Sequence, residues 1–120
     1  MRFLLLIQEP AGQRAGRSPA EARAVRERML SFGDSLAARG RLVARESLLL
    51  DGASRVSVRD GATRTIDGPF AEAKEIVGGF FLVECAGPDE ARAIAAECPA
   101  AGWASVEVRQ LGPCDQPPAG

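Results

Sequence analysis

Apolar residues recur along this chain with two different periods. Behind Ser18, residues Ala22, Val25, Met29, Phe32 and Leu36 fall at steps of three and four, the spacing of one helix face. Arg23, Arg26, Glu27, Arg28 and Asp34 occupy the opposite face. Ser18-Pro19-Ala20-Glu21 predicts the start: a capping box with proline at the first helical position. Gly40 supplies a natural stop. A second, shorter helix is expected after Gly87-Pro88, with Ala91, Ile94, Ala95 and Cys98 on one side and Pro99 at its end.

The other apolar segments have the period of strands: Arg2–Gln8, Leu42–Leu50, Arg55–Arg59, Ala62–Ile66, Gly79–Cys85 and Ala104–Gln110. Asp60-Gly61 between two short runs is a strong hairpin signal. The order predicts an α+β fold, a ferredoxin-like βαββαβ unit with an inserted β-hairpin.

Alternation within the strands bears on assembly. Ser105-Val106-Glu107-Val108-Arg109 is apolar on one face only, whereas Phe3-Leu4-Leu5-Leu6-Ile7 and Phe80-Phe81-Leu82-Val83 are apolar on both. These last two would be the central strands. Right-handed crossovers put both helices on one face, so the other is left with Phe and Leu at its centre. A homodimer with two sheets facing one another is therefore expected. Glu107, Arg109, Arg59 and Glu46 would then rim a partly buried cavity, or else serve as solvated charges that blunt edge pairing.

Length and composition narrow the function classes. The 120 residues make one domain, and 46% hydrophobic with 26% charged residues is too apolar for a disordered chain. A net charge of −1 argues against nucleic acid as a partner. There is no histidine, which excludes a Ser-His-Asp triad, a Cys-His pair and any His-ligated metal. The five-residue apolar run Phe3 to Ile7 is too short for a secretory signal and reads as a strand. No segment approaches the ~20 apolar residues of a membrane helix. Cys85, Cys98 and Cys114, an odd number without CxxC spacing, read as thiols of a cytoplasmic protein rather than a disulfide or zinc framework. Residues 1–110 are taken as the domain and 111–120 as a disordered tail.

Chemistry is most concentrated between Asp67 and Phe81. Asp67, Glu72, Lys74 and Glu75 fall within nine residues, and Lys74 is the one lysine among 15 basic residues. A compact amine whose pKa burial can lower differs from arginine in kind. Asp67 is either a turn-capping carboxylate or a preorganised base, and the two roles are compatible. Gly78-Gly79 permit a bulge or a close backbone approach and do not match a phosphate loop.

These residues also carry a resemblance. Met1-Arg2-Phe3-Leu4-Leu5-Leu6-Ile7, Arg45-Glu46-Ser47-Leu48 and Val56-Ser57-Val58-Arg59-Asp60-Gly61 come first. Thr65-Ile66-Asp67-Gly68-Pro69-Phe70-Ala71-Glu72-Ala73-Lys74-Glu75 and Gly78-Gly79-Phe80-Phe81-Leu82-Val83 follow, then Cys98-Pro99-Ala100 and Val106-Glu107-Val108-Arg109. In this order they resemble the YCII-related proteins, in the branch named for its DGPF motif. The resemblance implies a ferredoxin-like dimeric α/β barrel. Some members carry a His-Asp pair in the barrel cleft, a mechanism this histidine-free chain does not inherit. The branch is also associated with extracytoplasmic-function sigma factors.

Three functional expectations result. The first is a small-molecule enzyme or binding protein using a cavity formed with the dimer partner. Asp67 or Glu72 would act as base, Lys74 or Arg59 would hold an anionic substrate, and Glu46, with Glu107 and Arg109, would bind and orient it. Any catalysis would be carboxylate acid–base chemistry, with no metal or organic cofactor called for. The second is a regulatory protein that binds a sigma-factor-linked polypeptide through Arg23, Arg26 and Arg28, with Arg39 and Arg41 nearby. The third makes residues 67–81 a structural turn.

Overall fold

A computed structural model describes residues 1–68 and 74–117. Its elements are β1 (Arg2–Pro10), α1 (Pro19–Ala38), β2 (Leu42–Ser47), β3 (Ser54–Arg59), β4 (Ala62–Asp67), β5 (Glu75–Glu84), α2 (Pro88–Glu97) and β6 (Ser105–Gln110). Two short 3-10 turns, Arg14–Gly16 and Pro99–Gly102, were not evident from periodicity.

Helix α1 begins and ends on its local signals. The Glu21 N–H donates to the Ser18 hydroxyl at 3.1 Å, and the Ser18 N–H donates to the Glu21 carboxylate at 3.4 Å. At the other end Gly40 takes a φ of 71°. Its N–H donates to Ala37 and that of Arg41 to Leu36, a Schellman closure that satisfies two orphan carbonyls.

Four strands form one sheet in the order β2-β5-β1-β6, every neighbour antiparallel. β1 and β2 are thus parallel with β5 between them, and β5 and β6 are parallel with β1 between them. This is the ferredoxin-like order, reached through the α1 and α2 crossovers. β3 and β4 form a separate two-stranded sheet. Its turn residues Asp60 and Gly61 both have positive φ, at 51° and 76°, as a two-residue hairpin requires.

The core lies on one face of the four-stranded sheet. Phe3, Leu5, Ile7, Phe81 and Val83 bury against Phe32 and Leu36 of α1 and Ala91, Ile94 and Ala95 of α2. Phe32 meets Phe81 edge to face at 5.1 Å. The expected apolar stripe of α1 is buried only in its second half: Val25 and Met29 are half-buried, and Ala22 is exposed. The first half of α1 stands over an open space instead of a packed core.

Among the described residues, no element covers the centre of the opposite face. Register places Leu4 beside Leu82, and Leu6 beside Phe80, all four half-buried. Arg109 pairs with Leu4, Glu107 with Leu6, and Glu46 with Phe80. An apolar strip two strands wide is therefore flanked by charge on both edge strands.

Candidate functional site

The space under α1 is a cavity of about 560 Å³, within the usual range for small-ligand sites. Its apolar lining includes Ile7, Val25, Met29, Phe81 and Trp103. Strand β2 contributes Arg45–Ser47, and the double glycine Gly78-Gly79 of the neighbouring β5 continues the same wall. Arg14, Arg17 and Arg26 bring cationic groups to the same space.

One buried ion pair closes part of the wall. Glu9 is 7% exposed, and its carboxylate accepts hydrogen bonds from the Arg14 Nε at 3.0 and 3.1 Å. Arg14 Nη1 donates to the Leu48 carbonyl at 2.9 Å, and Nη2 donates to that of Gly78 at 3.0 Å. A single planar guanidinium thus ties β1, the end of β2 and the start of β5 together. The glycines explain themselves here. Gly78 is skipped in the β1–β5 register, the signature of a bulge, and a Cβ on it would land on the Glu9 carboxylate. A Cβ on Gly79 would lie 2.8 Å from the Glu46 carbonyl oxygen, so the two strands approach closely.

The remaining arginines differ in how they are held. Arg45 donates to Asp34 at 2.7 Å and to the Leu30 carbonyl at 3.0 Å, crossing Gly33, where a Cβ would obstruct it. Arg17 and Arg28 lie over the Trp103 ring at 5.8 and 5.0 Å from its centroid. Arg17 and Arg26 have no carboxylate partner among the described residues. The cavity therefore combines an apolar interior with two cations that no carboxylate among the described residues neutralises.

A family model for the YCII-related domain matches residues 1–114. The chain belongs to the YCII-related family. An uncharacterized protein of Rhizobium meliloti (strain 1021) is 47% identical over 55 residues, which cover 42% of this chain. The match spans 43% of that relative, less than half its length.

The residues singled out from the YCII-related sequence fall in three places. Glu46, Glu107 and Arg109 lie on the open face of the sheet, Glu46 also lining the cavity wall through its strand. Arg59 is in the separate hairpin, not on an edge of the main sheet, because residues 54–67 pair only with one another. Its Nη1 donates to the Val58 carbonyl at 3.0 Å. Asp67 ends β4 opposite Ser54 and is exposed, as is Lys74, whose carbonyl accepts from the Ala11 N–H at 2.9 Å. Glu72 lies outside the described residues, as do Pro69 and Phe70. Neither Asp67 nor Lys74 lines the cavity.

Sequence reasoning passed over Glu9, Arg14 and Arg17, and read Trp103 only as filling the entry to the last strand, whereas it lines the cavity. Glu9 lies in the Gln8-Glu9-Pro10 break that ends the apolar run Phe3 to Ile7, and Arg14 follows in the next turn. A carboxylate continuing the alternation of Phe3, Leu5 and Ile7 onto the buried face was the available signal. No helix among the described residues is long and apolar enough to cross a membrane.

Proposed function

We propose that this YCII-related protein binds a small organic anion with an apolar body in the cavity beneath α1. The observation that carries this reading is the pair Arg17 and Arg26, without a carboxylate partner among the described residues, beside an interior of Val25, Met29, Phe81 and Trp103. An anionic head would meet the guanidinium groups and an apolar tail would displace water from the interior. The carboxylates at the wall are Glu9, occupied by Arg14, and Glu46, so binding is better supported than acid–base catalysis.

The open sheet face supports pairing with a second copy, giving the dimeric α/β barrel of the DGPF branch. Leu4, Leu6, Phe80 and Leu82 would meet their counterparts, and Glu46, Glu107 and Arg109 would surround them. This keeps a second, inter-subunit cleft as the alternative ligand site, favoured by the register that gathers those three charges.

Regulation through a sigma-factor-linked partner draws less support from the α1 arginines. Arg26 lines the cavity, Arg28 covers Trp103, and Arg39 and Arg41 pair with Glu97 and Glu90 of α2 at 2.9 and 2.7 Å. Few of these cations are left to present to a polypeptide.

The chain has one tryptophan and no tyrosine, so fluorescence reports on the cavity directly. A panel of aliphatic and aromatic carboxylic acids and their neutral amides should be tested by Trp103 emission and thermal shift. Acids are expected to bind and amides not, with Arg26→Ala weakening binding about tenfold or more. Asp67→Ala and Lys74→Ala should leave binding unchanged. Equal binding by Arg26→Ala and the parent protein would refute the cavity site. Loss of binding in Glu107→Ala and Arg109→Ala instead would move it to the inter-subunit cleft.

A further inference from the structure

We infer that the β3–β4 hairpin is an arm that lays its valine face on a second copy of this chain. The inference rests on the pairing of open sheet faces proposed above and adds a second contact to it.

The hairpin stands apart from the body. β3 and β4 pair with one another, and no other strand or helix of the described chain packs extensively against them. The radius of gyration is 16.5 Å, against roughly 14 Å for a compact domain of this length. A two-stranded hairpin alone is marginally stable in water, so this one needs a surface to lie on.

Its two faces are unlike. Register places Val56 beside Thr65 and Val58 beside Thr63 on one face, with the valines 64% and 57% exposed. The other face carries Arg55, Ser57, Arg59 and Arg64 with Ile66. One face is thus uncharged and β-branched at its centre, suited to packing, while the other is suited to solvent.

Area argues that the occupant is a second copy. The four-stranded face is about 19 Å wide and 20 Å long, or ~400 Å² per copy, from ordinary strand spacings. A stable interface takes roughly 800 Å² per partner. One face of the hairpin adds ~200 Å², and in a twofold dimer each copy gives one arm and receives another, which brings the interface to the required size.

The test is sedentation-based measurement of the dimer Kd, by sedimentation equilibrium, for the parent protein, Val56→Lys/Val58→Lys and Leu6→Glu, with circular dichroism confirming each fold. The arm predicts a rise in Kd of about 100-fold or more for the double valine variant. Hydrogen exchange on the unmodified protein supplies a second reading: amides of residues 54–67 should lose protection on dilution through the Kd. An unchanged Kd for the valine variant, or hairpin exchange indifferent to dilution, refutes the arm. If Leu6→Glu alone dissociates the dimer, face pairing stands and the arm falls; a parent protein monomeric throughout removes both.

Discussion

Arg14 and Glu9 form the one ion pair in which a carboxylate of the described chain is almost fully removed from water, Glu9 at 7% exposure. The pair spans a single turn of chain, yet its guanidinium also reaches Leu48 and Gly78. Removing the cation would strand a buried carboxylate and release two backbone carbonyls. Arg14→Ala is therefore expected to cost about 3 kcal/mol in urea unfolding. Arg14→Lys keeps the charge without the planar fork and should cost about half as much. Arg14→Met with Glu9→Leu, which removes both charges, should recover much of the loss.

Gly78 depends on the same carboxylate. Because a Cβ there would occupy the position of the Glu9 carboxyl group, Gly78→Ala should destabilise by about 2 kcal/mol or more. In a Glu9→Ala background the obstructing group is absent, so the same substitution should cost much less. A double-mutant cycle by chemical denaturation should show a coupling of about 1 kcal/mol or more. Additive costs would mean that Gly78 is needed for its backbone alone.

Local signals were legible in this sequence and long-range placement was less so. The Ser18 capping box, the Gly40 stop, the Asp60-Gly61 turn and the Gly78-Gly79 bulge and close approach each depend on neighbours a few residues away or on one backbone requirement. Strand alternation also showed that Phe3–Ile7 is apolar on both faces and that one face would lack a covering helix, but not that Phe3, Leu5 and Ile7 are the buried set and Leu4 and Leu6 the open one. The cavity was not legible, because nothing in the periodicity of Ala22, Val25 and Met29 distinguishes packing on a sheet from standing over a void. The Glu9–Arg14 pair reaches two distant segments, at Leu48 and Gly78, and depends on a bulge register that alternation alone does not set. The emphasis on Asp67 and Lys74 came from their clustering in sequence, whereas the cavity draws its charge from Arg17 and Arg26.

The capping box provides a local control for these long-range tests. Ser18→Ala removes the acceptor for the Glu21 N–H and should cost about 1 kcal/mol in thermal or chemical unfolding. Its site is exposed and touches no cavity wall, so ligand binding measured through Trp103 should be unaffected. A binding defect in Ser18→Ala would mean that the first turn of α1 positions Arg17.

The thiols give a prediction in pH. Burial pushes the Cys98 thiol up from its ordinary 9.0, against backbone hydrogen bonds from Ala100 and Ala101 that favour the thiolate. Above pH 9 the unfolded chain loses this proton while the folded chain keeps it, so the folded state binds more protons and stability falls as pH rises. The contribution is fully present below pH 9 and is lost as pH climbs toward the raised folded value. Cys98→Ala should therefore show a shallower alkaline decline, by up to about 1.4 kcal/mol per pH unit over that window. Accessibility should follow the same division: Cys114 is exposed, whereas Cys85 and Cys98 are buried. A thiol-reactive chromophore should titrate one group rapidly in the native protein and three in denaturant. Cys114→Ser should abolish the rapid phase; a rapid phase that survives it would show that the α2 end of the core opens on the timescale of the reaction.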